Sequence, residues 1–252
     1  MNTYTTSDIA KMIGIHPNTV RFYEKMQLIT RTKRKENGYR IFTDLHIYQF
    51  KIAREAFQIE LLQNGLRKQS VDIVKTAALG NIDKALELTD QYLEHIEQEK
   101  NNAEEAVRSA KAILENKDNN LIKTCMTRKE TADYLGITTD TLRNWELNGL
   151  LKIKRRQNGY RVYTEQDIQI LKIIRSLRCA NYSLSSILRM LTALSKNPQT
   201  DIMKVIDTPR QSDDIITACD RLITSLGRAA YNGRTIKNML TEMKEKFYNS
   251  PI

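Results

Sequence analysis

Thr19-Val20-Arg21-Phe22-Tyr23-Glu24, leading to Asn37-Gly38-Tyr39-Arg40-Ile41-Phe42-Thr43, is written twice in this chain. It returns as Thr141-Leu142-Arg143-Asn144-Trp145-Glu146, leading to Asn158-Gly159-Tyr160-Arg161-Val162-Tyr163-Thr164. A period of about 121 residues is far above that of solenoid repeats and marks two complete domains. Upstream, Thr5–Ile15 matches Thr127–Ile137, with Gly14 over Gly136 and Arg21 over Arg143. The offset drops by one residue between Leu28 and Gly38, where a loop absorbs the deletion.

In the first copy, Thr6 or Ser7 is expected to cap a short helix whose apolar face is Ile9, Met12 and Ile13. Gly14 permits a left-handed turn, and Pro17 suits the first turn of a second helix running to about Met26. Two short helices joined by a Gly-containing turn form a helix-turn-helix, whose second helix fits a DNA major groove. Next come two short strands, around Thr30-Arg31-Thr32 and Tyr39-Arg40-Ile41-Phe42, with Asn37-Gly38 as the hairpin signal. The sum is a winged helix. Its wing carries Arg31, Lys33, Arg34, Lys35 and Arg40, and the second wing Lys152, Lys154, Arg155, Arg156 and Arg161. Such residues neutralise phosphates without reading sequence. The helices after the wings carry Ile47, Phe50, Ile52 and Phe57, or Ile168, Leu171, Ile174 and Leu177, and read as core.

Composition agrees with a DNA partner. The net charge of +10 is concentrated in the repeats. Residues 1–60 hold ten Lys and Arg against six Asp and Glu, and residues 125–180 eleven against six. The spacer, residues 81–118, reverses the sign with five against ten. Nine Gly and four Pro in 252 residues, with apolar residues at three- and four-residue spacing, predict a mainly helical chain. No apolar run approaches a membrane span and no signal-peptide pattern opens the chain, so the cytoplasm is the expected location. Cys125, Cys179 and Cys219 are scattered, and His16, His46 and His95 have no partner at ligand spacing, so neither disulfide, metal nor cofactor is expected.

The joint phrase, with its basic wing and following long helix, resembles the MerR family of bacterial transcription regulators over about the first 75 residues of each half. The resemblance implies that the recognition helix reads the major groove, that the wing Tyr and Arg grip the backbone, and that paired domains distort an over-long promoter spacer for RNA polymerase. Carried over by motif, Arg21, Tyr23, Tyr39 and Arg40 become DNA contacts in the first domain, and Arg143, Trp145, Tyr160 and Arg161 in the second. Tyr23 and Trp145 have a second reading as packing residues. Phe22 is matched by Asn144, which departs from the motif's aromatic. Wing residues Arg34 and Arg155 join the set as phosphate contacts. At the helix starts, Asn18 and Thr19 face Thr139, Asp140 and Thr141, so a fused pair can read an asymmetric operator.

Leu86, Thr89, Leu93, Ile96, Lys100, Ala103, Val107, Ala110 and Leu114 alternate by three and four, the seam of a coiled coil. Ile215, Cys219, Leu222, Leu226, Ala229, Gly233, Ile236, Leu240, Met243 and Phe247 repeat it. Members of the resembled family pair such helices antiparallel as homodimers. Here a short tether favours one chain folding back as a monomeric pseudo-dimer, with Lys100 opposite Gly233 if the helices are centred. The expected organisation is a first winged helix at 1–80, a coiled-coil helix at 81–118, a linker at 119–124, a second winged helix at 125–200, and a second coiled-coil helix with tail at 201–252.

Three function classes follow: a promoter-distorting transcription regulator, an architectural or recombination-accessory DNA binder, and an enzyme. The last is disfavoured, since no nucleophile with a base, Gly-rich phosphate loop or metal-spaced carboxylate cluster is present. The expected partners are double-stranded DNA and RNA polymerase, with no membrane. Any small-molecule effector has to bind between the domains or along the coiled coil.

Overall fold

Each repeat opens with a capping box that sets where its first helix starts. In the computed structural model, which describes residues 2–58, 65–115, 125–151, 153, 161–209 and 217–248, Thr5 and Thr127 are the caps. The Thr5 hydroxyl accepts from the Asp8 amide while Asp8 accepts from the Thr5 amide at 2.9 Å, and Glu130 does the same for Thr127 at 2.7 Å. The cap therefore lies one residue before Thr6, because only Thr5 has an acid three residues on.

The first copy runs β1 (Thr3–Tyr4), α1 (Thr6–Ile13), α2 (Pro17–Lys25), β2 (Lys33–Arg34), β3 (Arg40–Thr43), α3 (Asp44–Ala56) and α4 (Leu66–Ala78). Gly14 ends α1 at φ 70°, and Pro17 opens α2. The hairpin is tighter than expected, because its first strand lies at Lys33–Arg34 and not at Thr30–Thr32. Backbone bonds from Lys35 and Gly38 close the turn, with Gly38 at φ 82°. The sheet order is β1-β3-β2; β1 has no counterpart in the sequence reading, since two residues are too few to show alternation.

The long α5 (Ile82–Glu115) follows, then α6 (Arg128–Leu135), α7 (Thr139–Leu147), α8 (Glu165–Cys179), α9 (Leu184–Lys196), α10 (Ile202–Ile206), a 3-10 turn at Ala218–Arg221, and α11 (Leu222–Phe247). A bridge between Met126 and Tyr163 stands where β1 pairs with β3 in the first copy. The expected linker, residues 119–124, lies outside the described residues, as does Ile215. No described helix is long and apolar enough to cross a membrane.

The chain divides into two units, residues 1–98 with 226–252, and residues 99–225. In the first unit the core is built from Ile9, Val20, Tyr23, Phe42, Phe50 and Ile73, all buried. On α5 and α11, Thr89, Ile96, Leu226, Ala229, Ile236, Leu240 and Met243 are buried too. Lys237 pairs with Asp90 at 2.6 Å and Lys244 with Asp83 at 2.5 Å, while Gly233 lies against Leu93 and Tyr92. This differs from the expected Lys100 opposite Gly233, and Lys100 pairs within its own helix, with Glu104. The ion pairs are largely exposed and contribute little stability; the apolar seam supplies it.

In the second unit Ile168, Leu171, Ile174 and Leu177 are buried along α8. The buried Arg189 donates to the carbonyls of Val205, Ile206 and Asp220 at 2.8–2.9 Å, tying α9 to α10 and the 3-10 turn. Asp207 then caps α11 by accepting from the Ile223 and Thr224 amides.

Candidate nucleic-acid interface

Helical periodicity divides α2 into two faces. Val20 and Tyr23 point inward, and Asn18, Arg21, Phe22 and Lys25 lie on the exposed side. In α7, Leu142 and Trp145 point inward, with Asp140, Arg143, Asn144 and Leu147 exposed. Thr19 and Thr141 are half-buried at the edge of each face, and Thr139 is exposed. The guanidinium of Arg21 donates to the Asn18 side-chain oxygen at 2.8 Å. That bond occupies the acceptor Asn18 would need to read adenine bidentately, so in this state Asn18 orients Arg21. In the second copy the Thr138 hydroxyl accepts the Thr141 amide and lies 2.8 Å from its hydroxyl.

The aromatic residues carried over from the motif sit differently from the arginines. The Tyr23 ring is 5% exposed, stacked on Phe50 at 5.4 Å and edge-on to Phe57 at 5.9 Å. Trp145 is equally buried. Both rings therefore pack in the core, where their payload of apolar area is best used. On the recognition helix of the first copy the exposed ring is Phe22, at 52%.

On the hairpin, Tyr39 is 71% exposed and Arg34 is exposed, donating to the Gly38 carbonyl at 3.3 Å. Arg40 is different: its Nε donates to Glu24 at 2.5 Å. Glu24 also accepts from the Thr32 amide at 3.1 Å and from the Thr32 hydroxyl. Burial pushes the Glu24 carboxyl up, but these bonds outweigh it and hold the group below its ordinary value.

The second copy repeats the arrangement with other neighbours. Glu146 accepts from Arg161 Nε at 2.8 Å and from Arg128 at 2.9 Å, and the Tyr163 hydroxyl donates to it. Burial, followed by that bond, pushes the Tyr163 phenol up to about 12, so it remains a donor. Arg155 and Tyr160 lie outside the described residues, as do Lys152, Lys154, Arg156 and the Asn158-Gly159 turn.

The two glutamates were missed in the sequence reading, although each ends a repeated phrase. A Glu near the end of an exposed helix normally signals solvent; only its separation from the hairpin arginine, repeated in both copies, hinted at a pair. Thr32 and Arg128 carried no signal.

Two helix-turn-helix units, each closed by a carboxylate that joins the second helix to a basic segment, define a helix-turn-helix regulator. Residues 126–194 match the family described as MerR HTH family regulatory protein, and residues 5–42 that described as MerR family regulatory protein. The chain is 30% identical over 105 residues to the HTH-type transcriptional regulator CueR of Escherichia coli O6:H1, covering 38% of this chain and 74% of that protein. It is 32% identical over 65 residues to the HTH-type transcriptional regulator ZntR of Escherichia coli K12, covering 26% of this chain and less than half, 46%, of that protein. It is 29% identical over 126 residues to the uncharacterized HTH-type transcriptional regulator YyaN of Bacillus subtilis, covering 46% and 91%. No solved structure matches the chain. The chain belongs to the MerR family of helix-turn-helix regulatory proteins, and carries the family's domain twice.

Proposed function

We propose that this protein is a transcription regulator that binds promoter DNA with two unlike winged helices in one chain, at residues 1–80 and 125–200, and distorts it so that RNA polymerase can engage. The observation that carries this reading is the recurrence of one arrangement in both copies: an outward arginine on the second helix, Arg21 or Arg143, and a further arginine, Arg40 or Arg161, held by the same helix's glutamate. The proposed contacts are Asn18, Thr19, Arg21, Arg34, Tyr39 and Arg40 in the first copy, and Thr139, Thr141, Arg143, Arg155, Tyr160 and Arg161 in the second. Tyr23 and Trp145 serve as the packed base of each recognition helix.

The pseudo-dimer reading is supported inside the first unit. Residue numbers fall along α11 as they rise along α5, from Lys244 on Asp83 to Lys237 on Asp90, which is antiparallel pairing. Phe247, at the end of α11, meets Tyr48 of α3 with ring centroids 5.6 Å apart. A helix from the second copy thus ends on the first copy's domain, as a partner's helix would in a homodimer.

The test is the solution mass of the full chain alone and on a duplex obtained by selection. One chain per operator with unlike half-sites is expected. Two chains on a palindrome would overturn the pseudo-dimer, and no selective duplex would overturn the DNA reading.

A further inference from the structure

We infer that Glu24 and Glu146 are positioning residues for DNA binding: each clamps its hairpin arginine to the end of the recognition helix, so that the guanidinium meets a phosphate in a fixed orientation. This rests on the DNA-binding reading above.

The Glu24 and Glu146 side chains are only 11% and 8% exposed. Carboxylates that buried need partners, and each copy supplies them from outside the recognition helix. The partner sets differ: Thr32 and Arg40 in one, Arg128, Arg161 and Tyr163 in the other. What both keep is the arginine Nε on the carboxylate. A guanidinium has five donors in a rigid fork, so a carboxylate at Nε leaves amino groups for a phosphate oxygen. The carboxylate also cancels the arginine's charge, so a clamped Arg40 adds direction more than attraction. The rotamer entropy of a free arginine is then spent in folding and not in binding. The hubs differ in balance. Glu24 with Arg40 is neutral, whereas Glu146 with Arg128 and Arg161 retains one positive charge.

The experiment uses the full chain and its selected duplex, with Kd measured between about 50 and about 200 mM salt. Glu24→Gln is expected to weaken binding about tenfold, the worth of one charge-assisted hydrogen bond. The salt slope should not become shallower, because Glu24→Gln removes a negative charge and no cationic one; the loss is one of orientation. Arg40→Lys keeps the charge without the fork, and is expected to give the same loss even if Glu24→Gln fails to fold. The double variant should bind no worse than either single one. Tighter binding with a steeper slope would mean that Glu24 only screens Arg40, and overturns the inference. Unchanged affinity with a lowered melting point overturns it too, leaving a stabilising role alone. A wild-type chain that selects no duplex fails the DNA-binding reading instead.

Discussion

Gly233 of α11 lies against Leu93 of α5 so closely that a methyl group on its Cα would stand 2.7 Å from Leu93 Cδ2 and 3.2 Å from Tyr92 Cε1. Leu93 can give way, being half-buried, but Tyr92 is fully buried and cannot. Gly227, two turns earlier in the same helix, has nothing within 4 Å of that position. The two glycines should therefore respond oppositely. Gly227→Ala should stabilise by up to about 1 kcal/mol, the helix-propensity difference. Gly233→Val should destabilise by about 1–3 kcal/mol through overpacking. Urea unfolding of the two variants beside wild type checks both signs; a stabilised Gly233→Val would mean the helices can separate at no cost.

Neighbouring aromatics in the recognition helix should separate stability from binding. Trp145→Ala removes a buried ring and should cost about 3–5 kcal/mol. Phe22→Ala, on the surface, should leave the melting midpoint within about 0.5 kcal/mol of wild type while weakening DNA binding. Thermal melts paired with a binding titration decide the matter. A destabilising Phe22→Ala with intact binding would reverse the assignment of faces.

That pair also shows how far sequence reading reaches. Adjacent positions on a helix differ by about 100°, so Phe22 and Tyr23 cannot both point inward. Periodicity with Val20 favours Tyr23 inside, but only Phe50 and Phe57, distant in sequence, supply the stack that settles it. The elements themselves were easier to read, because Gly14, Pro17 and Asn37-Gly38 act through their own backbones. Spacing picked out Thr89, Ile96, Leu226, Ala229, Ile236, Leu240 and Met243, which are buried, but it did not give the register. Register depends on which small residue meets which large one, and Gly233 with Leu93 is a contact between segments about 140 positions apart. The glutamate hubs escaped because a charge pair between a helix and a hairpin has no local signature.

Acid should weaken the first unit in two steps. His46 Nδ1 accepts the Thr43 amide at 3.0 Å, so the ring is neutral with its proton on Nε2. Burial holds its pKa below the ordinary 6.5. The unfolded chain then binds more protons than the folded one as pH falls through about 6.5, and stability declines from there. Protonation also removes the acceptor that caps α3. Glu24, likewise depressed, adds a second loss below the ordinary carboxylate range. In the second copy the equivalent of His46 is Asp167, which makes the same cap with Thr164. His46→Gln keeps an acceptor without a titrating ring, so it should flatten the decline in melting point between pH 7 and pH 5 at about unchanged stability at neutral pH. An undiminished decline in that variant would place the proton uptake elsewhere.

The exposed faces of α2 and α7 share an arginine and little else. Around Arg21 stand Asn18, Phe22 and Lys25; around Arg143 stand Asp140, Asn144 and Leu147. An exposed phenyl ring at the groove favours a thymine methyl, and an amide favours adenine. Asn148 already donates to the Asn144 side-chain oxygen at 2.5 Å, which would restrict Asn144 until DNA competes for it. Selection with the full chain should thus return unlike half-sites, thymine-rich opposite the first copy and adenine-bearing opposite the second. Exchanging the two residues, Phe22→Asn with Asn144→Phe, should exchange the preference at one position of each half-site, by about 1–3 kcal/mol per base pair. If the exchanged protein selects the wild-type sequence, residues 22 and 144 lie off the bases, and the asymmetry must come from Asn18 and Asp140 one turn earlier.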